Sequence, residues 1–234
     1  MHRNENSYSE IFSDKKYKLV VLDMDGTLYY QRAMQLFMCM EMGMFAIRHP
    51  FSIWKLGVIS TFRKIREMQE FEKLNQCHIE SRESGADLLS IQYMAVAKKT
   101  GRSQETVKEI IEEWMFLRPL KYLGFTSDKR LCEWIKQWKS EGKKVIIYSD
   151  YPLKDKCAML KISADGMYFS GDVKIGEMKP SVKGLDIICS DFSVEKNEVL
   201  IIGDRKSKDG KMAESADVDF VILKKWKLMR NNKY

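Results

Sequence analysis

Four short β-rich apolar runs punctuate the chain, and three of them end on a polar residue. Tyr17-Lys18-Leu19-Val20-Val21-Leu22 runs into Asp23, and Lys144-Val145-Ile146-Ile147-Tyr148 runs into Ser149. Glu198-Val199-Leu200-Ile201-Ile202-Gly203 runs into Asp204, and Asp219-Phe220-Val221-Ile222-Leu223 closes the set. Unbroken runs of this length predict buried parallel strands. Helical spacing separates the later ones. Leu131, Trp134, Ile135 and Trp138 fall three and four apart within 127–141, with Gly142 as a stop. Residues 180–190 and 207–216 predict further helices, and 153–160 predicts another, followed by a short extended piece. Strand–helix alternation predicts an α/β fold with a doubly wound parallel sheet of the Rossmann-like kind.

Residues 33–122 follow a different rule. No strand pattern occurs, and the apolar positions fall at helical spacing: Met34, Phe37 and Met38; Ile53, Leu56 and Ile59; Leu88, Ile91 and Met94; Val107, Ile110, Ile111 and Trp114. Breaks at His49-Pro50, Asn75, Ser84-Gly85 and Thr100-Gly101 divide the stretch into about four helices. The expected organisation is therefore a core formed by 1–32 and 123–234, interrupted by a helical domain over 33–122. Met34, Met38, Met40, Met42 and Met44 crowd its first helix. Core packing accounts for most of them, with an adaptable binding surface as the lesser reading. Residues 51–64 carry an amphipathic pattern that suits helix packing at least as well as a membrane surface. The segment 224–234 is basic and is expected to fray.

Composition narrows the function classes. The 234 residues are 44% apolar and 31% charged, as in an ordinary globular protein, and the formal charge is +7. That modest excess favours anionic ligands, while no motif for reading nucleic acid is present. Five cysteines, Cys39, Cys77, Cys132, Cys157 and Cys189, lack C-x-x-C spacing, which predicts free thiols in a reducing compartment. The first residues form no signal-peptide core, and the most apolar run, 33–47, is broken by Gln35 and Glu41. A cytoplasmic protein without stable membrane insertion is expected; the oligomeric state is left open.

In a doubly wound sheet the ligand crevice lies at the carboxyl ends of the strands, so Asp23, Ser149 and Asp204 are expected to converge. Asp23-Met24-Asp25-Gly26-Thr27-Leu28 resembles the D-x-D-G-T-L first motif of the haloacid dehalogenase-like hydrolase superfamily. Ser149 resembles its second motif, Lys179-Pro180 its third, and Gly203-Asp204-Arg205-Lys206-Ser207-Lys208-Asp209 its fourth. The four stand in family order. Lys-Pro alone would read as a surface lysine; its place between the second and fourth motifs gives it weight.

The resemblance implies a Mg²⁺-dependent phosphatase acting on a small phosphorylated metabolite through an aspartyl-phosphate. Asp23 is then the nucleophile, and Asp25 the general acid–base, with a carboxyl pKa raised by neighbouring carboxylates. Ser149 and Lys179 would hold the phosphoryl group. Asp23, Asp204 and the Asp25 carbonyl would bind the metal, with Asp209 holding a metal-bound water or the lysine. Thr27 reads as a turn residue. Asp150, where relatives often carry a neutral residue, either tunes substrate choice or faces solvent. The Asp-x-Asp pair disfavours dehalogenation, whereas phosphomutase activity on a phosphorylated sugar is the closest alternative and a non-catalytic phosphate-binding protein a further one. The gap between Asp23 and Ser149 is the long one, so a helical cap belongs there, with Arg32, Arg48, Arg63 and Lys64 as candidate substrate contacts.

Overall fold

The structure, a computed structural model, describes residues 8–69 and 87–223. The breaks expected at Asn75 and Ser84-Gly85, Cys77 and the basic segment 224–234 lie outside them. Five parallel strands form one sheet: β1 (Leu19–Leu22), β2 (Lys144–Ser149), β3 (Gly166–Phe169), β4 (Val199–Gly203) and β5 (Asp219–Ile222). Their order is β3-β2-β1-β4-β5. The four expected strands are present, and the extended piece after residue 160 is the edge strand β3, in register with β2 from Ile146↔Gly166 to Ser149↔Phe169.

Strand periodicity divides the core into two layers. Val20, Leu22, Val145, Ile147, Leu200 and Ile202 enter one apolar cluster, and the residues between them, Leu19, Val21, Ile146, Val199 and Ile201, enter the other. β1 is therefore covered on both faces, as a continuous apolar run requires. Each fully buried aliphatic side chain contributes roughly 2 kcal/mol. α1 (Tyr8–Phe12) packs on the first layer, where Trp138 Nε1 donates to the Phe12 carbonyl at 2.9 Å.

Between β1 and β2 the described chain is helical: α2 (Gln31–Arg48), α3 (Trp54–Gln69), α4 (Leu88–Thr100) and α5 (Gln104–Ile111). Widened and tightened turns over 112–122 carry α5 into α6 (Leu123–Thr126). Local signals set the ends. The Asp87 and Ser103 side chains cap α4 and α5 by accepting from Ser90 N and Thr106 N, and Gly101 closes α4 in the left-handed region at φ +64°. The insertion leaves and rejoins the sheet at one place, since Tyr30 N donates to Thr126 O and Asp128 N to Leu28 O. Its inner residues, among them Phe62, Val96, Ile111 and Trp114, belong to the same apolar cluster as one sheet face. The methionines of α2 divide: Met34 and Met38 are buried, while Met40 and Met44 are half exposed. Core packing thus explains only part of that group.

After the insertion come α7 (Lys129–Ser140), α8 (Lys154–Met159), α9 (Lys183–Phe192) and α10 (Lys211–Ala216). α9 begins three residues later than Pro180, leaving Lys179 on the loop before it. Among the described residues no helix is long and apolar enough to cross a membrane, and Cys39, Cys132, Cys157 and Cys189 are free thiols.

Candidate active site

The carboxyl ends of β1, β2 and β4 bring the polar residues together as the strand pattern predicts. Asp23 follows β1, Ser149 ends β2 and Asp204 follows β4, with β1 pairing with both of the others. Lys179 is the fully buried link between them. Its Nζ donates to Asp23 Oδ1 at 2.5 Å, to Asp209 Oδ1 at 2.6 Å and to the Tyr148 carbonyl at 3.3 Å. Asp209 sits in the wide turn Lys206–Gly210 and accepts from Arg205 N at 3.3 Å through its other oxygen. Of the two expectations for Asp209, holding the lysine is the one observed.

Asp23, Asp204 and Asp209 each offer a carboxylate oxygen, and these atoms lie within 4.8 Å of one another, all buried. The donor set is wholly oxygen, which suits a hard divalent cation such as Mg²⁺. Burial pushes the Asp23 carboxyl up to about 8; Lys179 opposes this, and Asp209, Asp204 and Asp25 add to it. Asp23 and Asp209 share the buried Lys179, and Asp204 has Arg205 Nε at 3.7 Å; three carboxylates against these two cations fit a further cation. Gly26 makes the cluster possible. Its φ is +94°, and a Cβ there would collide with the Asp204 carboxylate, so only glycine allows this approach of backbone to side chain.

The Asp25 side chain turns away from that cluster. Its Oδ1 accepts from the Tyr29 hydroxyl and from Lys156 Nζ at 2.5 Å, and its Oδ2 from Ser149 Oγ at 3.1 Å. The expectation of a raised Asp25 pKa is therefore corrected. Burial pushes it up, but Lys156, Tyr29 and Ser149 together outweigh burial and hold it below its ordinary value. The raised carboxyl is that of Asp23. Thr27 does more than turn the chain, because its hydroxyl donates to Asp23 Oδ2 at 3.1 Å.

At Asp150 the expectation of solvent exposure is corrected. The residue is buried in a web of donors. Ser170 Oγ and Lys179 N donate to its Oδ1 at 2.7 and 3.0 Å, and Lys208 Nζ to its Oδ2 at 2.9 Å. Burial raises its pKa, and Lys208, then Lys179 and Arg66, more than reverse that, leaving it well below the usual carboxylate range. Asp150 ties the end of β2, where Ser149 sits, to the loop that carries Lys179.

Arg32, Arg48, Arg63 and Lys64 are all exposed. The cation that reaches inward from the insertion is Arg66, buried on α3. It donates to Gln92 Oε1 and to the Asp150 carbonyl, each at 2.6 Å, and stacks over the Tyr151 ring at 4.0 Å. A signal for it existed: Arg66 lies four residues after Phe62 and seven after Ile59, on the buried stripe of α3. Lys156, Lys208 and Tyr29 carried no comparable signal.

The sequence model of the haloacid dehalogenase-like hydrolases matches residues 17–217. The chain belongs to that family of hydrolases. Solved structures agree at the level of the fold. The 2-haloacid dehalogenase of Pseudomonas syringae is 14% identical, covering 88% of this chain and 86% of that one, with a TM-score of 0.59. The HAD-hydrolase YfnB of Bacillus subtilis, bound to magnesium, is 15% identical, with 93% of each chain covered and a TM-score of 0.57. A Clostridium difficile structure described as that of a phosphatase is 15% identical over 89% of this chain and 86% of that one, with a TM-score of 0.52. A comparison with curated proteins gave no match. The family holds enzymes of more than one chemistry, so the reaction has to be argued from the residues themselves.

Proposed function

We propose that this hydrolase is a Mg²⁺-dependent phosphatase that cleaves a small phosphate monoester through an aspartyl-phosphate on Asp23. The observation that carries this reading is the division of labour between two neighbouring aspartates. Asp23 faces the oxygen cluster with Asp204, Asp209 and Lys179, and Asp25 faces Ser149, Lys156 and Tyr29. A dehalogenating enzyme needs no acid in its first step, because its leaving halide takes no proton, whereas a leaving alkoxide does.

In the first step an Asp23 oxygen forms a bond to phosphorus, the bond to the ester oxygen breaks, and Asp25 gives that oxygen a proton. Asp25 is held ionised beside Lys156, and an arriving phosphate anion raises its proton affinity. In the second step Asp25 takes a proton from water, which attacks phosphorus and frees phosphate and Asp23. Ser149 and the Lys179 ammonium orient and neutralise the transferred group's oxygens. Asp23, Asp204 and the Asp25 carbonyl would hold Mg²⁺, with Asp209 steadying Lys179 beside it. When bound, the metal offsets the repulsion between the carboxylate and the phosphate anion.

The same reading makes 33–122 a cap over a core of 1–32 and 123–234. Its contacts with the Asp150 carbonyl through Arg66, and with Met178 through Gln92 at 3.7 Å, lie beside Ser149 and Lys179. A cap seated on these loops excludes water and favours a small substrate over a polymer. The test is a panel of phosphate monoesters with and without Mg²⁺. Metal-dependent phosphate release that Asp23→Asn abolishes is expected. Equal release by the variant, or halide release from haloacids in place of phosphate release, would contradict it.

A further inference from the structure

Among the described residues, the outer face of α2 and the turn that follows it form an exposed apolar surface. Leu36, Met40 and Met44 are half exposed and repeat every fourth residue along one side of the helix. Ile47 adds to that side at 82% exposure, and in the turn after the helix Phe51 is 95% and Ile53 47% exposed. Most surface hydrophobics occur singly, whereas these are successive neighbours. α2 is apolar on its inner side as well, where Phe37 stacks on Tyr122 at 4.9 Å and Phe45 meets Trp114 at 4.9 Å. Core packing accounts for that side and leaves the other unexplained.

The charge around the stripe identifies its partner. The same four-residue row that runs through Leu36, Met40 and Met44 begins on Arg32 and ends on Arg48, both exposed. Arg102 adds a third cation, stacked over the Trp54 ring at 4.1 Å. The only acidic residue of α2 is Glu41, and its carboxylate is taken up by Arg118 at 2.5 Å and Lys121 at 2.8 Å. A second copy of this face would set arginine against arginine, with no carboxylate on the stripe to answer either. A surface of anionic headgroups over hydrocarbon answers both features at once. We propose that α2 and the segment 50–54 dock this protein on an anionic lipid bilayer, the apolar stripe entering the headgroup region and Arg32, Arg48 and Arg102 pairing with lipid phosphates. The helix lies in the plane of the surface and does not cross it. An exposed phenylalanine and tryptophan at its end suit the membrane interface.

The experiment is co-sedimentation of the full chain with vesicles of phosphatidylcholine alone and of phosphatidylcholine mixed with phosphatidylglycerol, at low and high salt. Sedimentation with the anionic vesicles, weakened by salt, is expected, with little on the neutral ones. Ile47→Ser/Phe51→Ser is expected to lower the partition at least about tenfold. Arg48→Gln, which removes a charge but no apolar surface, is expected to lower it about fivefold. Both sites are exposed, so the melting temperature should hold; should the double variant melt early, Arg48→Gln alone decides. Absence of binding to the anionic vesicles, equal binding to neutral ones, or a dimer in light scattering that Ile47→Ser/Phe51→Ser dissolves would each overturn the proposal.

Discussion

Gly26 and Asp150 show how single residues hold the candidate active site together. At Gly26 a methyl group has no room beside Asp204, and φ +94° is strained for any other residue. Gly26→Ala should therefore lower phosphate release by at least about a hundredfold through displacement of the carboxylate. A titration of activity against Mg²⁺ checks this, and wild-type turnover at ordinary Mg²⁺ would refute it. Asp150 is a depressed carboxylate, so it stabilises the fold at pH above its unfolded value, and that stabilisation is lost as pH falls towards its native one. Asp150→Asn leaves Lys208 buried without its carboxylate and should cost about 3 kcal/mol at neutral pH. The gap between variant and wild type should shrink below about pH 4, as urea melts at several pH values would show. A pH-independent gap would mean that packing, not charge, is lost. That Asp23, Asp25, Ser149, Lys179, Asp204 and Asp209 come together was legible in the sequence, because strand ends and motif order place them. Lys156, Lys208 and Asp150 were not, since a buried charge satisfied by distant partners leaves no local pattern.

At the level of elements, burial on both faces made β1, β2 and β4 readable, because nearly every position in such a strand is apolar, and β5, at the other edge, was readable from Phe220-Val221-Ile222. β3 escaped as a strand for the opposite reason. It is four residues long, opens on glycine and sits at the sheet edge, where its positions are mostly half buried. The helices of the insertion were readable from spacing, but spacing does not say which apolar face stays uncovered: Met34, Met38 and Met42 of α2 pack in or against the core, and Met40 and Met44 stand outside it. Arg66 is the element-scale link between insertion and sheet. Arg66→Met keeps the stem but removes the donors to Gln92 and the Asp150 carbonyl, and should cost about 2 kcal/mol of stability. It should also lower kcat/KM, because the loop bearing Ser149 loses its tie to α3. Denaturation midpoints and steady-state kinetics check both; an unchanged midpoint would show that the contact carries no energy.

For the whole molecule the governing feature is the buried carboxylate cluster of Asp23, Asp204 and Asp209 at the carboxyl ends of the strands. A cation bound there should stabilise the entire fold. Mg²⁺ at about a hundred times its Kd adds about 2.7 kcal/mol, and should raise Tm by roughly 5–10 °C for a chain of this size. In chelator, Asp204→Asn should melt no lower than the wild type, because one repelling carboxylate is gone, and Mg²⁺ should no longer shift its Tm. A full Mg²⁺ shift in the variant would remove Asp204 from the metal site. The central claim, that Asp23 carries the phosphoryl group, is tested most directly by acid-quenching the enzyme during turnover of a phosphate monoester with Mg²⁺ and mapping the modified peptide by mass spectrometry. The expected result is one phosphoryl group on the Asp23 carboxylate, labile to hydroxylamine and absent in Asp23→Asn. A phosphoryl group on Ser149, or steady turnover with no phosphorylated peptide at any quench time, would contradict the account.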